Sequence, residues 1–152
     1  MRIRPATKDD FAAVRAITRE TISEVYPHYY PRGAVAFFLR HHSDAQIRED
    51  LAAGRVFLCL DEDQNAVGTV TVRDNEICRL FVLPRFQGQG FGRALLDFAE
   101  ETVAASCPEI VVDASLPAKR IYRKRGYVET DYHVVATGDG DYLCYDVMKK
   151  RV

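Results

Sequence analysis

Gln87-Gly88-Gln89-Gly90-Phe91-Gly92 is the segment whose residue types and spacing point most directly to chemistry. It lies between an apolar run, Leu80-Phe81-Val82-Leu83-Pro84, that reads as the end of a strand, and a run from Phe91 onward that reads as a helix. Glycines at alternate positions remove Cβ clashes, so successive main-chain N–H groups can turn toward one point at the positive end of the following helix. The ligand suited to such a point is a phosphate or pyrophosphate. A plain strand-to-helix turn is the alternative.

Two familiar phosphate motifs do not fit. A P-loop needs Lys-Ser/Thr after its second glycine, and here Phe91-Gly92-Arg93 follows. A dinucleotide fingerprint needs GxGxxG, whereas Gly88, Gly90 and Gly92 give GxGxG, and Pro108 to Asp113 supplies a ribose-binding acid only ambiguously.

Read as Gln-x-x-Gly-x-Gly, the segment resembles the acyl-CoA pyrophosphate loop of the GNAT superfamily of N-acyltransferases. A second stretch, Ser115 to Tyr127, resembles that family's Asn-x-x-Ala-x-x-x-Tyr signature followed by a Gly-aromatic pair, with Ser115 in the place of the Asn and Gly126-Tyr127 as the pair. The resemblance implies acetyl-CoA as cofactor, no metal, and a sheet that splits so that the pantetheine arm lies in the gap. By the same resemblance the main chain of Leu80, Phe81 and Val82 pairs with the arm, and an N–H there polarises the thioester carbonyl. The amides from Gln87 through Gly88, Gln89, Gly90, Phe91 and Gly92 to Arg93 hold the diphosphate.

Acetyl transfer to an amine requires a deprotonated nucleophile, a stabilised oxyanion and a proton for the leaving thiolate. Tyr122 is the candidate acid. Ala118 and Tyr122 lie four apart on one helical face, so a small residue admits the arm while the phenol reaches toward sulfur. A core tyrosine on an amphipathic helix is the alternative. Glu76 is the candidate base, eleven residues before Gln87, the spacing at which the histone-acetylating branch carries its glutamate. Desolvation at the end of a strand gap raises such a carboxylate's pKa. A solvent-facing glutamate after the Asp74-Asn75 turn, with ordered water as the base, is the other reading.

With 152 residues, 47% of them hydrophobic, the chain suits one globular domain spanning 1–152. A formal charge of −1 gives no pull toward nucleic acid or an anionic membrane. The apolar run Val56 to Leu60 is far shorter than the roughly 20 residues of a membrane helix, and no signal-peptide stretch follows Met1, which predicts a cytosolic protein. Cys59, Cys78, Cys107 and Cys144 stand far apart and read as reduced. Lys119, Arg120, Arg123, Lys124 and Arg125 form a basic cluster, part of it a candidate partner for the coenzyme's 3′-phosphate.

The expected element order is βαα(α)βββαβαββ, a mixed, mostly antiparallel α/β sheet of about seven strands with a parallel pair where Glu76–Val82 meets Ile110–Ala114. Helices are expected over Phe11 to Tyr26, Val35 to Arg40, Ser43 to Ala53, Phe91 to Val103 and Ser115 to Arg125. In the fourth, Arg93, Asp97, Glu100 and Glu101 form the solvent face. Residues 26 to 55 and the tip 136 to 141 are expected to wall the acceptor pocket. His28 with its neighbouring tyrosines borders that pocket, and Asp131, Asp139 and Asp141 are candidates to attract a cation. The acceptor is expected to be a primary amine of a small molecule or peptide. Edge pairing of Tyr142 to Met148 would give a homodimer. A GNAT-like acyl-CoA sensor without catalysis is the alternative of a different class, and a nucleotide-binding module of another fold is a third reading.

Overall fold

The computed structural model describes residues 1–152. Seven strands, β1 (Arg2–Pro5), β2 (Val56–Leu60), β3 (Ala66–Arg73), β4 (Glu76–Val82), β5 (Glu109–Ala114), β6 (Val128–Ala136) and β7 (Tyr142–Arg151), form one sheet in the order β1-β2-β3-β4-β5-β7-β6. Every neighbouring pair is antiparallel except β4–β5, which is parallel as expected. The connection between those two strands is helix α4 (Phe91–Ala104), because parallel neighbours need a crossover.

Helices α1 (Phe11–Val25), α2 (Arg32–His41) and α3 (Asp44–Ala52) cover one face of the sheet. Val14, Ile17, Ile22, Ile47, Leu58 and Leu143 belong to the apolar core there. The Ser43 hydroxyl caps α3, accepting from the Gln46 N–H at 3.2 Å, as the sequence leads one to expect. Helix α2 starts three residues earlier than expected, directly after Pro31. Its N-terminus is closed from across the molecule, where the Asp141 carboxylate accepts from the Gly33 N–H at 2.8 Å. A Cβ on Gly33 would lie 2.0 Å from Asp139 Oδ1, so the hairpin tip sits hard against this helix.

On the other face α4 and α5 (Leu116–Lys124) pack over a second core that includes Leu95, Ala99, Ile110, Val112 and Met148. Gly68 on β3 permits this approach, since a Cβ there would come within 2.8 Å of Leu95 Cδ1. The expected solvent face of α4 is corrected at one position. Glu100 is buried, and its carboxylate accepts from Arg125 Nη2 at 2.8 Å and from Lys150 Nζ at 2.9 Å. Burial pushes this carboxyl up, but the two cations outweigh it and hold it below the usual range. The helix-period pattern hid the pairing because both partners are distant in sequence.

A second correction concerns the sheet edge. β7 lies between β5 and β6, so β6 and not the Tyr142 strand carries the free edge.

Candidate active site

β4 and β5 are in register only at Glu76↔Val111, with the Val111 N–H donating to Asn75 O at 2.9 Å. Beyond that level the parallel strands part. A bulge sits at the same place: Thr71 faces Cys78 and Thr69 faces Phe81, so Val70 stands opposite both Arg79 and Leu80. Arg79 takes the left-handed conformation, φ +47, which a non-glycine residue holds only when its surroundings fix it. Those surroundings are the buried Asp50 carboxylate of α3, which accepts from Arg79 Nη1 at 3.0 Å and bidentately from Arg73. The Thr71 hydroxyl takes a further Arg79 bond at 3.0 Å.

Past the bulge the Leu83 N–H donates to Val67 O, so ladder alternation turns the main chain of Val82 and Leu80 toward the gap and that of Phe81 toward β3. The Val82 carbonyl is already taken, by Thr21 Oγ1 at 3.2 Å and by Gln87 Nε2 at 2.9 Å. Gln87 thus ties the glycine loop to the end of β4 through its side chain.

The loop itself is open. Gly88 and Gly90 have φ of +76 and +93, and nothing lies within 4 Å of where their Cβ atoms would be. No main-chain N–H from Gly88 to Arg93 donates to any group of the protein; the first of this helix to do so is Ala94, to Gly90 O at 3.0 Å. Six successive donors therefore face outward at the positive end of α4.

Across the gap, α5 starts at Ser115, its N-cap residue, and ends at Gly126 with φ +87. The Tyr30 hydroxyl accepts from the Leu116 N–H at 2.7 Å, satisfying one of the free donors of α5. Between α5, the parted strands and α2 lies a cavity of about 180 Å³. Glu76, Leu80, Phe81, Ser115, Ala118 and Tyr122 all line it. Tyr122 is 7% exposed, packs edge-on to Tyr127 at 5.3 Å, and its hydroxyl has no hydrogen-bond partner. Burial drives its pKa well above that of a free phenol, so it is protonated at neutral pH.

The Glu76 carboxyl is raised by burial and then by the neighbouring Asp113 carboxylate. Asp113 on β5 is raised too, by burial. His41 and His42, at the end of α2, line the same cavity. Burial and the positive field of Arg79 and Arg73 lower both, His42 to about 3. The Cys78 thiol beside them is pushed up to about 12 by burial, which leaves it a poor nucleophile.

Sequence reasoning missed Asp113 and Tyr145 as lining groups, whereas His41 and His42 fall within the expected wall of residues 26 to 55. Asp113 had one signal: Ile110, Val112 and Ala114 alternate with it, so it faces away from the α4 core. His28 is exposed and does not line the cavity, a correction of the expectation that it borders the pocket. The tip 136–141 also stands outside the lining, with Asp139 and Asp141 engaged at α2. Of the basic cluster, Lys119 pairs with Asp146, Arg123 with Glu129 and Arg125 with Glu100, which leaves Arg120 and Lys124 without partners. No group of three His, Cys, Asp or Glu side chains is arranged to hold a metal ion, and no helix is long and apolar enough to cross a membrane.

A family model described as the acetyltransferase (GNAT) domain matches residues 25–140. The chain belongs to the GNAT acetyltransferase family. Among solved structures, a GCN5-related N-acetyltransferase from Rhodopseudomonas palustris has a TM-score of 0.88 at 25% identity, covering 99% of this chain and 95% of that one. PaiA N-acetyltransferase from Thermoplasma acidophilum, in complex with coenzyme A, scores 0.76 at 17% identity over 99% and 98%. YncA, a putative acetyltransferase from Salmonella typhimurium with acetyl-CoA, scores 0.73 at 19% over 99% and 93%. The last two likenesses speak to the GNAT fold. No curated protein matches.

Proposed function

We propose that the chain is a single-domain, acetyl-CoA-dependent N-acetyltransferase that moves the acetyl group to a primary amine by direct attack in a ternary complex. The observation that carries this reading is the row of six unpartnered N–H groups, Gly88 to Arg93, at the mouth of the β4–β5 gap. Such donors suit a diphosphate, at about 1.5 to 3 kcal/mol for each charge-assisted bond. Family membership and the ligands named for the two neighbours in complex support coenzyme A as the diphosphate's owner.

In this reading the pantetheine arm runs along Leu80 and brings the thioester beside Tyr122. The Leu80 main chain, turned into the gap, stabilises the carbonyl oxygen as it gains charge. Glu76 takes one proton from the acceptor ammonium. The amine lone pair forms the N–C bond and the carbonyl π pair moves to oxygen. Collapse breaks the C–S bond, the thiolate takes the Tyr122 proton, and the second amine proton passes to the Tyr122 phenolate, restoring the phenol. Ala118 leaves room for the arm, and Ser115 lies beside the Tyr26 hydroxyl at the wall.

A thiol-release assay with acetyl-CoA and a panel of amines tests this. Release with an amine is expected. Coenzyme binding without release from any amine would favour a binding module, and absence of coenzyme binding would overturn the proposal.

A further inference from the structure

Resting on the acetyl-transfer reading of this cavity, we infer that the acceptor is a short aliphatic diamine or polyamine, whose attacking amine meets Glu76 while its second ammonium is held by Asp113. Both carboxylates line the cavity, on neighbouring strands. Glu76 stands at the last paired level of β4, and Asp113 lies two residues beyond Val111, its β5 counterpart. Strand spacing and rise put the two Cα atoms roughly 8 Å apart, the scale of two ammonium groups separated by a few methylenes.

The charge of the lining is one-sided. Arg79 is its single cation; its Nη1 is bonded to Asp50 and Thr71, its Nε has no partner but is buried, and the side chain is 1% exposed. His41 and His42 are held toward their neutral forms by burial. No ion pair engages Glu76 or Asp113, whereas other carboxylates of the sheet and its helices have cations: Asp146 has Lys119, Glu109 has Lys149, and Glu100 has Arg125 and Lys150.

Two further observations point to a ligand independently of charge. The cavity that the carboxylates share holds the unpartnered Tyr122 hydroxyl, on a residue 7% exposed. Its remaining walls on the acceptor side include Phe37, Phe38, Leu143 and Tyr145, which suit methylenes between two charged ends and offer an α-carboxylate no exposed cation, Arg79 being buried against Asp50.

The test compares kcat/KM for a series of terminal diamines with monoamines of equal carbon number and with α-amino acids. At least a tenfold preference for a diamine is expected, falling as salt is raised. In Asp113→Asn that preference should shrink toward one, with acetyl-CoA affinity by calorimetry as the control for an intact fold. Monoamines or amino acids used as well as diamines, or a preference unaltered by Asp113→Asn, would overturn the acceptor class and leave the acetyltransferase reading standing. Failure of every amine to give thiol release would overturn both.

Discussion

On the side of the β4–β5 gap that faces residues 87–93, the groups offered to a ligand are main-chain amides. On the side that faces α2 and β7 they are side chains, Glu76, Asp113, His41 and Tyr145, drawn from four elements. The first flank needs only glycines that open the loop and a helix that starts there. The second needs a bulge, a buried ion pair and a long-range helix contact before its side chains meet. The amide flank is thus local and insensitive to side-chain identity, whereas the side-chain flank stands or falls with tertiary packing.

The sharpest way to break this contrast is to remove what fixes the bulge. Asp50→Asn leaves Arg79 buried without its counter-ion, and about 3 to 5 kcal/mol of stability should be lost. Denaturant unfolding measures this; a loss under 1 kcal/mol would mean the bulge is held some other way. Tyr122→Phe, next in size, should lower kcat about 100-fold with little change in melting temperature or coenzyme affinity. Full activity would return Tyr122 to the core.

Gly90→Val tests the amide flank. A β-branched residue at φ +93 misaligns the donors, and acetyl-CoA affinity should fall about 30-fold by calorimetry, with a smaller loss of stability. Glu76→Gln should lower kcat/KM about tenfold and remove its acidic limb. Because burial raises the Glu76 carboxyl, the wild-type limb should lie above the ordinary carboxylate range, with activity falling as pH drops through it. An unchanged profile would assign the base to water.

His42 ties stability to pH. Its folded pKa of about 3 lies below the usual imidazole value of 6.5, so the unfolded chain binds the proton first. Its contribution to stability is complete above pH 6.5 and is lost as pH falls toward 3. In His42→Asn the slope of stability against pH over that window should flatten; an identical slope would show that His42 does not govern it.

Much of the frame is legible without coordinates. The β4 boundaries, the parallel β4–β5 pair, the Ser43 cap and the glycine loop all follow from periodicity and local stereochemistry. Glu100 was read as solvent-facing because helix period reports only a neighbourhood of a few residues, and its partners Arg125 and Lys150 are 25 and 50 residues away. The strand order beyond β5 was misread for a related reason: a hairpin's sequence specifies that β6 and β7 pair, not which of them lies against the sheet.

What the chain's own order of residues determined is the family, the succession of elements and the loop of free amides, since each depends on backbone freedom and neighbours a few positions apart. Only the tertiary structure decided that Asp113 joins Glu76, that Asp139 and Asp141 leave the pocket for α2, and that Val82's carbonyl is filled. Those outcomes depend on which distant charges and donors find each other once water is excluded, and a desolvated group takes the partner that packing supplies.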